Sequence, residues 1–313
     1  LALSAIQSRE RVLNAMREGR PLPVALASAM RPRQWLKNVL VLAAPLAAGS
    51  LFEPSVLVPT LWAFVAFCLI SSSTYLINDI RDVDADRNHP TKCNRPIAAG
   101  DLKPSVAAAF AIALALVALA LSWWIRPELA GVVAIYFIFT LSYSLILKQE
   151  PVIELVLIAM GFLLRAIAGG VASNLPISQW FLIVAGFGSL FMAAGKRFSE
   201  LERSLNQATG TDTPKRRSLD GYSLGYLRFV LGVSAAVTIV AYCLWAFEVG
   251  QAPSTLPWAQ WSVLPFVLAI LRYGVAIDRG KAEAPEDAVL RDKALLVISA
   301  VWLLLFGLGA VGA

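Results

Sequence analysis

Asn78, Asp79, Asp82 and Asp86 fall within nine residues at the end of a long apolar segment, and a basic run containing His89, Lys92, Arg95 and Gly100 follows at once. On a helix the three carboxylates stand at i, i+3 and i+7 and share one face. Oxygen ligands at that spacing suit Mg²⁺, which takes a few carboxylates and completes its shell with waters and substrate phosphate oxygens. A partly open acidic face with cations behind it is therefore expected to be a magnesium-diphosphate site. A solvated, charge-rich loop would explain the acids but neither their register nor the basic run. The expected metal ligands are Asn78, Asp79, Asp82 and Asp86, and the three aspartates are the expected catalytic carboxylates.

A second charged group lies downstream. Lys196 and Glu200 stand at i, i+4, with Arg197 and Arg203 close by, after the small residues Ala193, Ala194 and Gly195 that permit tight helix packing. Lys148, Glu150 and Glu154 open another apolar segment, and Arg165 follows Glu154 by eleven residues, about three helical turns, so the two share a face. An arginine that deep in an apolar span is expensive and is normally kept in a cavity with a partner. The reading favours anion binding by Arg165 over a structural Glu154–Arg165 pair. Tyr75 and Lys37 border the same face of the membrane and could complete a phosphate cage. Cationic rims that merely snorkel would explain Lys196 and its neighbours.

The elements that must hold these groups are membrane helices. Of the 313 residues, 58% are hydrophobic and 15% charged, with a mean hydropathy of +0.67. Nine stretches are long enough to cross a hydrocarbon core: 36–52, 55–77, 105–125, 129–147, 152–171, 178–194, 224–247, 261–277 and 294–311. With nine crossings and a cytoplasmic N-terminus, 25 of the 27 Lys and Arg residues fall on the cytoplasmic face, leaving only Arg126 and Arg165. The fold class expected is all-α, polytopic, with nine transmembrane helices around a central cavity open to the cytoplasmic face.

Residues 1–30, with Arg9, Arg11, Arg17 and Arg20 among apolar side chains, read as an interfacial amphipathic segment rather than a cleavable signal, and 31–313 as a single membrane domain. The loop after Lys196 is expected to continue its helix to about Asn206, turn near 209–214 and resume near Leu219. Ends of the second and sixth spans suggest two half-sites facing one cavity. The net charge of +6 reads as attraction to anionic lipid and phosphate, with no nucleic-acid footprint. Cys68, Cys93 and Cys243 show no disulfide or metal spacing. His89, the sole histidine, reads as loop-stabilising.

The NDxxDxxxD pattern from Asn78 to Asp86 resembles the UbiA-type intramembrane prenyltransferase superfamily. Within it, RPRQWLKNVLVLAAPLA from Arg31, YLINDIRDVDADRNHPTKCNRPIAAG from Tyr75, GFLLRAIAGG from Gly161, GSLFMAAGKRFSEL from Gly188, YLRFV from Tyr226 and APEDAVLRD from Ala284 are similar to a branch that glycosylates a polyprenyl phosphate. The resemblance implies Mg²⁺-dependent transfer of 5-phosphoribose from phosphoribosyl diphosphate to decaprenyl phosphate, releasing diphosphate, for the arabinan of cell walls. It also implies a plasma-membrane location with the active site on the cytoplasmic face, and is compatible with a homo-oligomer.

Where other superfamily members carry a second Asp-rich motif, this chain reads GKRFSE, with Glu200 the only nearby acid. That departure favours cationic binding of phosphates, and the expected substrate-binding residues are Lys37, Tyr75, Lys92, Lys148, Arg165, Lys196, Arg197 and Glu200. One alternative is prenyl transfer from a prenyl diphosphate to an aromatic acceptor. The other is a secondary transporter of an anionic metabolite, against which the one-sided charge stands.

Overall fold

Twenty-eight residues from Pro54 to Arg81 form one helix, because an apolar run with serines and threonines bonded back onto its own carbonyls carries no strong breaker beyond Pro59 near its start. It is one of eight helices that are long and apolar enough to cross a membrane in the computed structural model, which describes residues 20–147, 150–206, 221–249, 256–280, 282 and 285–311. In chain order the helices are α1 (Leu22–Ala29), α2 (Ala43–Ala47), α3 (Pro54–Arg81), α4 (Val83–Arg87), α5 (Pro104–Ile125), α6 (Pro127–Leu145) and α7 (Ile153–Ala172). They continue with α8 (Gln179–Asn206), α9 (Leu224–Val249), α10 (Trp258–Trp261), α11 (Val263–Asp278), α12 (Pro285–Arg291) and α13 (Lys293–Val311). Among the described residues there is no strand.

The eight long helices fall where eight of the nine apolar stretches were expected. The exception is the first stretch, 36–52, which is no continuous α-helix but a 3-10 helix from Pro32 to Leu42 followed by α2. Within the 3-10 segment the buried residues are Asn38 and Val41, one three-residue turn apart, and Ala44 is buried at the start of α2. This segment also passes unusually close to α7. A Cβ added at Gly169 would lie 1.9 Å from the Val41 carbonyl oxygen, so only glycine permits the approach. Gly169 and Gly170 thus serve packing against 41–45.

The described chain divides into two compact units. The first joins the residues up to Leu36 to Val65–Ala120, around a core of Ala25, Ala29, Leu76, Ile97, Leu102, Ala107 and Ala111. The second comprises Lys37–Phe64 and Leu121 onward, with one core around Phe191, Phe198, Leu227, Tyr273 and Ile277 and another of stacked rings, Tyr242, Trp245, Phe266 and Phe306. Small side chains fill helix contacts, whereas Ile112, Leu116 and Val117 point outward at more than half exposure, the arrangement of a protein solvated by lipid.

Candidate active site

The first unit positions the aspartates. Helix α3 ends at Arg81, Asp82 adopts φ −92°, ψ 12°, and α4 begins at Val83, so the expected continuous helix is interrupted at Asp82. The interruption is slight, because Asp82 N–H donates to the Asn78 carbonyl at 2.9 Å and Asp86 N–H to the Asp82 carbonyl at 2.8 Å. Helical register therefore survives far enough to bring Asp79 and Asp86 together. Their side chains are 3% and 4% exposed, and the same arginine nitrogen, Arg95 Nη1, donates to Asp79 Oδ1 at 3.0 Å and to Asp86 Oδ2 at 2.6 Å. Arg31 Nη2 makes a short ion pair with Asp79 Oδ1 and lies over the Tyr75 ring, 5.3 Å from its centroid. Asn78 and Asp82 are half-buried beside this pair.

As site residues, the sequence points to Arg95 only as part of the basic run and to Arg31 not at all. Arg31 lies 48 residues from its carboxylate, on a connection no periodicity predicts. Its one local signal is the Arg-Pro step that ends α1, where Arg31 takes a left-handed φ of 55°.

The loop after α4 is stapled by His89. Its Nδ1 accepts the backbone N–H groups of Thr91 (3.2 Å) and Lys92 (3.3 Å), which is the loop-stabilising geometry expected of it. Those two donors place the neutral ring's proton on Nε2. Lys92 itself is exposed at the short 3-10 turn Lys92–Asn94.

The second unit gathers the other cluster. Arg197, 1% exposed on α8, donates to Glu154 Oε1 of α7 at 2.6 Å, makes a short ion pair with Glu200, and donates to Tyr143 Oη of α6 at 3.2 Å. Charge compensation on both sides makes it a tie between three helices. Lys196 Nζ lies 4.0 Å from Glu200 Oε1 and is about one-third exposed. Arg165 is buried about 18 Å along α7 from its start. Its Nε donates to Asn38 Oδ1 (2.7 Å), Nη1 to the Gly161 carbonyl (2.7 Å) and Nη2 to Tyr136 Oη (2.6 Å), with the Tyr136 ring 4.6 Å away. Glu154 and Arg165 therefore do not pair with each other. Lys37 is half-buried in the 3-10 segment. Lys148, the turn at 209–214 and Leu219 lie outside the described residues, as do residues 1–19 of the expected amphipathic segment.

The entry to α7 is fixed by Tyr222, whose phenol oxygen accepts the Val152 N–H at 2.7 Å while Val152 holds φ 67°. Burial pushes the Tyr222 hydroxyl above its ordinary range.

The donor set fits a hard divalent cation. Arg95 Nη1 already stands as a positive group between two buried carboxylate oxygens, at distances from which a small shift would give metal ligation. Among the described residues, no group of three or more His, Cys, Asp or Glu side chains is placed to hold a metal ion by itself. Asp79 and Asp86 bring two carboxylates together around one cation, and Mg²⁺ is an ion that takes few protein carboxylates beside waters and phosphate oxygens.

The chain also resembles known proteins. The UbiA prenyltransferase family matches residues 39–291. A protein of Mycolicibacterium smegmatis named decaprenyl-phosphate phosphoribosyltransferase is 48% identical over 92% of this chain and 91% of its own length. One of the same name from Mycobacterium tuberculosis is 46% identical over 91% of this chain and 94% of its own. Among solved structures, a UbiA homolog from Archaeoglobus fulgidus bound to GPP and Mg²⁺ superposes with a TM-score of 0.68 at 18% identity, covering 92% of this chain and all of that one.

Proposed function

Because the chain belongs to the UbiA prenyltransferase family, we propose that its aspartate site serves phosphoribosyl transfer: 5-phosphoribose moves from phosphoribosyl diphosphate to decaprenyl phosphate, releasing diphosphate. The observation that carries this reading is the pair of relatives of that name, 46–48% identical along about nine-tenths of the chain.

Asp79 and Asp86 would hold Mg²⁺, directly or through water, with Asn78 and Asp82 completing the protein's share. Bound there, the ion would supply positive charge to offset that of the departing diphosphate. The bond between the anomeric carbon and the diphosphate oxygen breaks with its electron pair on the diphosphate. An anionic oxygen of the lipid phosphate then bonds to that carbon. No proton needs removal from a nucleophile already ionised near neutral pH, so no general base is required and His89 keeps its loop role. In-line attack on an α-configured donor gives a β-linked product. Lys37, Tyr75, Lys92, Lys148, Arg165, Lys196 and Glu200 are the candidates to orient phosphate groups. Arg197 acts as a positioning residue, since both its flanks are taken by carboxylates.

The active site faces the cytoplasm of a plasma membrane, where a soluble sugar donor meets a membrane lipid. This rests on the one-sided placement of Lys and Arg. Nine crossings remain the proposed topology. The 3-10 segment rises about 2 Å per residue, so its eleven residues with α2 reach about 30 Å, enough to cross without a continuous α-helix. The family match runs through both units, which supports a single catalytic domain from residue 31 onward.

The test is to incubate purified protein in detergent with labelled phosphoribosyl diphosphate, decaprenyl phosphate and Mg²⁺, with and without chelator. Metal-dependent label in the lipid phase is the expected result. Failure of that reaction, with prenyl transfer to an aromatic acceptor instead, would replace the substrate and keep the family.

A further inference from the structure

We infer that Arg31 and Arg95 are exchangeable counter-cations: without metal they neutralise Asp79 and Asp86, and when Mg²⁺ takes the carboxylates they turn to the phosphate groups of the ribosyl donor. The inference rests on the phosphoribosyl-transfer reading for the identity of that donor.

Two nearly inaccessible carboxylates reach one guanidinium nitrogen, so a single cation stands between both buried acids. A permanent structural pair would be expected to be buried on both sides, as Arg197 and Glu154 are at 1% and 0%. Here the acids are buried but both arginine side chains are 25% exposed. Asp79 and both arginines line a polar cavity of about 250 Å³, together with Arg20, Thr91 and Asn94.

That cavity suits an anion. Its charged lining is three arginines to one aspartate, and Arg20 is tied to Asp101 at 3.6 Å and to the Asn94 carbonyl at 3.3 Å, leaving Arg31 and Arg95 as the cations on the metal carboxylates. Each guanidinium has five N–H groups in a planar fork that matches phosphate oxygens. Arg31 is further marked by its left-handed backbone immediately before Pro32, a conformation that a non-glycine residue adopts under constraint. Tyr75 beneath its guanidinium gives a surface on which the group can turn while remaining stabilised as a cation.

Exchange and scaffolding predict opposite signs for one substitution. If Arg95 competes with the metal, Arg95→Gln removes the competitor, and Mn²⁺, used in place of Mg²⁺, binds the donor-free protein about tenfold more tightly by calorimetry or paramagnetic resonance. In the presence of saturating Mn²⁺ the same variant binds phosphoribosyl diphosphate about tenfold more weakly, because a charge-assisted phosphate contact is lost. Arg95→Lys, which keeps a charge, stays near wild type in the first measurement and loses part of the second. Arg31→Gln repeats both shifts in smaller degree and serves where Arg95→Gln does not fold. Weaker or unchanged Mn²⁺ binding in both glutamine variants overturns the proposal, as does tighter metal binding with donor affinity unchanged. Both readouts are binding measurements. If the opposite shifts appear and no phosphoribosyl lipid forms, the exchange stands and the transfer reading falls.

Discussion

At the scale of residues, buried charges are resolved in two different ways. Arg197 and Glu154 close on each other inside the second unit, whereas Asp79 and Asp86 are neutralised by cations that still touch solvent. Removing the arginine leaves Glu154 as an uncompensated buried charge, so Arg197→Met is expected to lower stability by about 3–5 kcal/mol, whereas Glu154→Gln, which leaves Arg197 on Glu200, should cost less. Detergent unfolding followed by intrinsic fluorescence checks it, and a Glu154→Leu, Arg197→Met double variant should recover much of the loss. His89→Asn, which can offer an acceptor where Nδ1 stands, should retain activity within about threefold, while His89→Ala loosens the loop that presents Lys92 and Arg95. The sequence made the aspartates legible because their spacing is local. It gives no sign that Asn38, 127 residues away, is the partner of Arg165, nor that Glu154 closes against Arg197.

At the scale of elements, apolar runs fixed the long helices closely, since burial in lipid demands continuous helix whatever the detailed packing. The same argument failed at 36–52, where a 3-10 segment passes close to α7, a contact that apolar content alone does not show. Gly169→Ala tests that contact: a methyl group 1.9 Å from the Val41 oxygen must push the segment away. Marked destabilisation is expected, while Gly131→Ala on α6, whose Cβ would meet nothing within 4 Å, should be tolerated. The start of α13 gives a pH test. Asp292 caps it through the N–H groups of Ala294 (3.0 Å) and Leu295 (3.2 Å), and the Arg272 guanidinium at 2.8 Å holds its carboxyl below the usual carboxylate range. A depressed folded-state value means that the stabilisation is present above the ordinary carboxylate pKa of about 4 and is lost as pH falls through the lower folded value. The stability difference between wild type and Asp292→Asn should therefore shrink on acidification.

For the whole molecule, the proposed function requires a soluble charged donor to meet a lipid acceptor at one face of the membrane. Topology is testable with cysteines at exposed positions. Asp84→Cys, on the expected cytoplasmic side, should react with an impermeant maleimide only after the membrane is opened, and Glu128→Cys should react from outside intact cells. The reverse pattern would place the aspartates on the wrong side for a cytoplasmic donor. The central claim is the identity of the group transferred. Its most direct measurement is mass spectrometry of the lipid fraction after the protein is given Mg²⁺, phosphoribosyl diphosphate, decaprenyl phosphate, a prenyl diphosphate and an aromatic acceptor together. The account predicts decaprenyl phosphate heavier by one phosphoribosyl unit and an unchanged acceptor. An unchanged decaprenyl phosphate beside a prenylated acceptor would contradict it.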